Sequence, residues 1–145
     1  MKEVTLTYSI KPAWDVVQQI ETKINELYKP PDPELLSSTT MVVSELIENA
    51  VKYSNTSQGK KSINLNFYAD NKSIVIIISN PVTNRNHVDL VMRHIERTQN
   101  IDDPKKLYIE RLQQLLDNPR ITSTQLGLYR ITYEGKFQLS YEYEN

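Results

Sequence analysis

The stretch Met41–Ser54, MVVSELIENAVKYS, decides how the chain is read. Wound as a helix, it puts Glu45, Asn49 and Lys52 at i, i+4 and i+7, on one narrow stripe. Val43, Leu46, Ile47 and Ala50 fall opposite and form an apolar face. A carboxylate, a carboxamide and an ammonium therefore point the same way from a helix anchored by its other side. A solvated polar face would give the same pattern. Two features argue against it. Met41 and Val42 flank the stripe with apolar groups, and asparagine in mid-helix is tolerated best where its side chain has a task.

Outward from this helix the chain alternates between two periodicities. Val4, Leu6, Tyr8 and Ile10 repeat every second residue and predict a half-buried strand. Pro12 then opens a helix reaching about Tyr28, with Val17, Ile20, Ile24 and Leu27 on one face. Lys29-Pro30-Pro31-Asp32-Pro33 ends it, because proline lacks the N–H that a helix interior needs. The second helix spans Glu34–Tyr53 and is followed by a turn rich in Asn, Ser and Gly. Ile63, Leu65, Phe67 and Ala69 alternate as the first strand of a hairpin. Asp70-Asn71-Lys72 turns it, and the unbroken Ile74–Ile78 predicts a central strand.

Pro81 ends that strand. Helix Val88–Thr98 follows, with Val88, Val91, Met92 and Ile95 on its apolar face. A further helix opens at Asp102-Asp103-Pro104 and carries Tyr108, Leu112, Leu115 and Leu116. After Asn118-Pro119 and a polar stretch, Leu126–Ile131 reads as a short helix. Gly135 turns the chain into a closing strand through Phe137, Leu139, Tyr141 and Tyr143. The order β-α-α-β-β-α-α-α-β predicts one α+β domain over residues 1–145. Its expected form is a two-layer α/β sandwich, a mixed and mostly antiparallel sheet with helices on one face.

Composition narrows the function classes. The 145 residues carry a net charge of −1, which gives no broad field for nucleic acid or an anionic membrane. Cysteine is absent, so disulfides, Cys–metal sites and thiol catalysis are excluded. No apolar run approaches a membrane span and no signal segment is evident, so a cytoplasmic protein is expected.

The string Glu45-x-x-x-Asn49-x-x-Lys52-Tyr53 resembles the N-box of the GHKL ATPases, which include gyrase B, chaperone ATPases, sensor histidine kinases and anti-sigma-factor serine kinases. The resemblance implies ATP and Mg²⁺ as cofactors. Asn49 would be the Mg²⁺ ligand, Lys52 a phosphate contact, and Glu45 the catalytic group that orients a nucleophile. Mg²⁺ takes oxygen ligands and keeps several waters, so one amide oxygen plus phosphates suffices. The family's adenine-reading box, D-x-G-x-G, corresponds to Ser79-Asn80-Pro81-Val82-Thr83. Asn80 could accept the adenine hydrogen bond through its amide oxygen, and both glycines are missing. Asn80 is equally well read as a turn former before proline. The second glycine box corresponds to Ser123-Thr124-Gln125-Leu126-Gly127-Leu128. Ser123, Thr124 and Gly127 would then meet a phosphate at a helix start, or simply cap and pack that helix.

The run from His87-Val88-Asp89 through Asp102-Asp103-Pro104-Lys105-Lys106-Leu107-Tyr108 to Leu126-Gly127-Leu128 is similar to SiaB-type kinases. That branch implies a regulatory protein partner in bacterial partner switching, either a phospho-acceptor or a phosphatase module. The reading is therefore an ATP-dependent serine/threonine kinase or kinase-like regulator. A degenerate, non-catalytic interaction module is the alternative. A third reading is a homodimerisation domain with an Ile95 or Leu115 face exposed. His87 and His94, seven apart, lack a third ligand and read as solvated or packed histidines rather than a zinc site. Lys105, Lys106, Arg111 and Arg120 read as a soluble helix face.

Overall fold

The structure is a computed structural model that describes residues 3–10, 15–53, 63–82, 84–118 and 126–144. These contain five helices and a three-stranded antiparallel sheet, a mixed α+β arrangement. They divide into two compact units, Met1–Thr83 and Asn84–Asn145.

In the first unit, β1 (Val4–Ile10), β2 (Ile63–Ala69) and β3 (Ile74–Ser79) lie in the order β1-β2-β3. The register places Leu6 opposite Phe67 and Phe67 opposite Ile76, with Tyr8, Leu65 and Ile78 aligned one pair along. One face of the sheet is thus continuously apolar, as period-2 alternation demands. The hairpin closes at Asp70, whose Oδ1 accepts the backbone N–H groups of Lys72 at 2.7 Å and Ser73 at 2.8 Å. These bonds hold the Asp70 carboxyl below its usual pKa, and the Tyr68 hydroxyl adds to them by donating to Oδ2.

Two helices cover the apolar face: α1 (Asp15–Leu27) and α2 (Pro33–Tyr53). The core joins Val17, Ile20 and Ile24 of α1 and Val43 and Ile47 of α2 to Leu65, Phe67 and Ala69. The fourth core position after Ile24 is Tyr28, not the expected Leu27. Tyr28 is fully buried with its ring edge-on to Phe67 at 5.6 Å, whereas Leu27 is 43% exposed. Both i+3 and i+4 steps fit a helical stripe, and packing against the sheet selects the larger ring.

The strand Ile74–Ser79 departs from expectation more sharply. The sequence predicts a central strand, and among the described residues it lies at the sheet edge. Ile74, Ile76 and Ile78 are half-buried against the core, while Val75 and Ile77 stand on the outer face, 47% and 55% exposed. An apolar run does not distinguish burial on two faces from burial on one.

The second unit holds α3 (Arg85–Gln99), α4 (Pro104–Asp117) and α5 (Leu126–Tyr133), with α5 packed on both of the others. Asn84 caps α3 by accepting from the N–H groups of Asn86 and His87, and Asp103 caps α4 by accepting from Lys106. Pro104 sits at the start of α4 as expected. The buried face of α4 is Leu107 and Arg111, not the Tyr108–Leu112–Leu115–Leu116 stripe; Leu116 is 79% exposed. Ile95 is buried and Leu115 half-buried, so the Ile95 face is not open for a partner.

The expected closing strand is absent from the sheet. Residues 137–143 instead run extended along α3. Gln99 Nε2 donates to the Leu139 carbonyl at 3.0 Å, the Tyr141 hydroxyl meets Glu96, and Arg85 lies 4.8 Å from the Tyr143 ring. Phe137, Leu139, Tyr141 and Tyr143 are half-buried and their neighbours exposed. Period-2 alternation belongs to any extended chain laid on a surface, and here that surface is a helix.

Candidate functional site

Helix α2 positions the predicted polar stripe. Val43, Ile47 and Ala50 are buried, and Leu46 is half-buried, so that side of the helix is fixed as expected. Val42 is buried too, at 1% exposure, so the apolar wall extends round one flank of the stripe. Glu45 and Asn49 are half-buried and Lys52 is exposed. The stripe therefore passes from shelter into solvent toward the helix C-terminus. Lys52 Nζ lies 5.4 Å from the Tyr53 ring centroid, within cation–π range.

Asn49 is the informative member. Its side-chain nitrogen is shielded from solvent and has no hydrogen-bond partner among the described residues. Such an atom costs about 1–3 kcal/mol of desolvation. Folding stability alone gives no reason to place it there, and asparagine is already unfavourable in a helix interior.

The other predicted residues divide by location. Asn80 follows β3 directly, half-buried, with its Nδ2 only 3.4 Å from the Pro81 carbonyl. With Asn80 at the Asp position of D-x-G-x-G, the glycine positions fall on Val82, which is half-buried, and Asn84, which is exposed. Gly127 is the second residue of α5, in the second unit. Ser123 and Thr124 lie outside the described residues. The structure thus brings Glu45, Asn49 and Lys52 onto one helix face, with Asn80 at the end of a strand in the same unit.

Comparison with protein-family models, curated proteins and solved structures finds no match. The geometry must therefore carry the functional argument.

For Mg²⁺ and ATP the fit is confined to α2. No group of three or more His, Cys, Asp or Glu side chains among the described residues could hold a metal. A site built on one amide oxygen with phosphates does not need one. The Asn49 amide has an unpaired N–H group that suits an acceptor such as a phosphate oxygen, and an oxygen of the kind Mg²⁺ takes, with the Glu45 carboxylate on the same stripe.

Two polar contacts escaped the sequence reading. Within the first unit, the Ser44 hydroxyl meets the Glu21 carboxylate across the α1–α2 interface and lies 2.9 Å from the Thr40 carbonyl. Within the second, His94 is buried, and its Nδ1 meets the hydroxyl of the fully buried Tyr129. His94 Nε2 has no partner among the described residues. Burial, with the guanidiniums of Arg111, Arg97 and Arg93 adding to it, lowers the His94 pKa to about 4. Burial also raises the Tyr129 pKa, against the pull of Arg97 and Arg111. Arg111, expected on a soluble face, is buried and donates to Gln114 Oε1 at 3.1 Å. His87, one heptad before His94, is exposed, so the two histidines do not share an environment. The signal for this cluster is the i, i+3 match of His94 with Val91 and of Arg111 with Tyr108, together with the i, i+4 match of Arg111 with Leu107, but polar residues are discounted when apolar faces are drawn.

Proposed function

We propose that this chain is a GHKL-like, ATP-binding serine/threonine kinase-type regulator of a bacterial partner-switching module in the cytoplasm. The observation that carries the reading is the sheltered amide of Asn49, whose Nδ2 has no hydrogen-bond partner among the described residues, on the Glu45–Asn49–Lys52 stripe. Asn49 would supply the Mg²⁺ ligand and Lys52 a phosphate contact. Glu45 would orient the hydroxyl of a protein partner, the positioning role that dominates phosphoryl transfer. Bound ATP·Mg²⁺ would supply the transferable phosphoryl group and neutralise its charge. Asn80 would accept from the adenine amino group.

Calorimetry tests this directly. Mg²⁺-ATP should bind the wild type and fail to bind Asn49→Ala. The thermal midpoint of the ligand-free variant should stay level or rise, because the substitution removes a buried unpaired polar group. Equal binding by both proteins, or a clear loss of ligand-free stability in the variant, would refute the assignment.

One observation favours a second reading. With Asn80 at the Asp position, Val82 and Asn84 stand where the family has glycine, and each carries a Cβ where a nucleotide would need close backbone approach, so the domain would act as a non-catalytic interaction module. A wild-type protein whose melting temperature is unmoved by saturating Mg²⁺-ATP would select this reading, since a ligand of the native state must stabilise it.

A further inference from the structure

The first unit carries an apolar sheet edge. β3 is the last strand of the sheet, and among the described residues its only backbone partners lie in β2 and the hairpin turn. Five consecutive residues, Ile74–Ile78, are β-branched and apolar. Val75 and Ile77 are 47% and 55% exposed on the outer face. Edge strands are ordinarily guarded by charge, proline or a bulge, because unpaired backbone groups template pairing with another chain. No residue of Ser73–Asn80 is charged or proline. The opposite edge, β1, presents Thr5, Thr7 and Ser9 on its outer face, so the feature is particular to β3.

We propose that β3 pairs antiparallel with β3 of a second copy about a two-fold axis, joining two three-stranded sheets into one of six strands. The occupant is identified by self-complementarity. With Ile76 opposite its own counterpart, Ile74 faces Ile78 of the other copy and Val75 faces Ile77. Every pair in this register is apolar, and each keeps its face, because the sum of paired residue numbers is even. The half-buried inner row Ile74, Ile76 and Ile78 continues across the axis. The exposed outer row closes into a four-residue cluster of two Val75 and two Ile77 side chains. Lys72 falls opposite Asn80, so no like charges oppose one another. A single strand pairing is smaller than a standard interface, so the dimer should be concentration-dependent. This face differs from the Ile95 and Leu115 faces, and the inference does not depend on nucleotide binding.

Charge exchange tests both the surface and the register. V75E/I77E and V75K/I77K alter exposed outer-face side chains, so each should keep the circular-dichroism spectrum of the wild type. Sedimentation velocity on a dilution series should show a wild-type dimer dissociating on dilution and each variant remaining monomeric. Mixing the variants should restore the dimer, because each Glu then meets a Lys. Hydrogen exchange on the wild type adds a measurement that needs no variant: the amides of Ile74, Ile76 and Ile78, which point away from β2, should lose protection on dilution while those of Val75 and Ile77, bonded to β2, keep theirs. A wild-type monomer throughout, or a dimer that survives in both variants, overturns the proposal. So does protection of the Ile74, Ile76 and Ile78 amides that is independent of concentration.

Discussion

Acidifying the solution from neutrality should lower the stability of the fold through one side chain of the second unit, His94. In the unfolded chain its imidazole titrates near the ordinary value of 6.5; in the fold, burial and three guanidiniums hold it at about 4. Between those values the unfolded state binds the proton and the native state does not. Stability therefore rises with pH across this window, and is lost as pH falls from 6.5 toward 4. At 1.36 kcal/mol per pH unit, the loss amounts to about 2 kcal/mol by pH 5 and about 3 kcal/mol by pH 4. Below pH 4 the histidine contribution levels off, because both states are protonated. Asp70, whose native pKa is lowered, acts in the same direction, with its effect at the acid end of the range. The assay is urea unfolding of the wild type and His94→Gln at a series of pH values. Glutamine does not titrate, so the difference between the two proteins isolates the histidine. That difference should change by about 3 kcal/mol between pH 7 and pH 4. A difference that stays flat across the window would refute the placement of a neutral, buried His94 beside Arg111, Arg97 and Arg93.

Other consequences are local. Tyr28→Ala should cost about 3–5 kcal/mol, the usual range for emptying a buried aromatic site, whereas Leu27→Ala should stay within about 0.5 kcal/mol in the same chemical-denaturation assay. A reversal would mean that α1 is turned by a residue relative to the sheet. Asn84→Ala should cost about 1 kcal/mol by removing the α3 cap, and Asn84→Asp should recover most of it, read from thermal melts.

Much of the fold could be read from periodicity because the relevant contacts are local or come from one face. Val4–Ile10 and Ile63–Ala69 alternate cleanly since each strand has one wet side. The start of α4 at Asp102-Asp103-Pro104 was legible because helix starts are set by neighbouring backbone groups. The errors fall where two arrangements satisfy the same local pattern. Leu27 and Tyr28 both continue the Ile20–Ile24 stripe. Ile74–Ile78 suits an edge as well as a centre, and the alternation of Phe137–Tyr143 suits a helix surface as well as a sheet. The polar stripe of α2 was visible as spacing, but spacing gives no measure of shelter.

What the order of residues determined by itself was the first three strands, the five helices, and the co-facing of Glu45, Asn49 and Lys52, since backbone geometry and side-chain pitch depend only on neighbours along the chain. Tertiary structure decided the rest. It buried Tyr28 in place of Leu27, put β3 at an edge, laid 137–143 along α3, and enclosed His94 and Arg111. It also sheltered the Asn49 amide while leaving Lys52 in solvent. Each outcome depends on which surfaces meet across long loops. Burial and desolvation are properties of those meetings, and no stretch of sequence carries them alone.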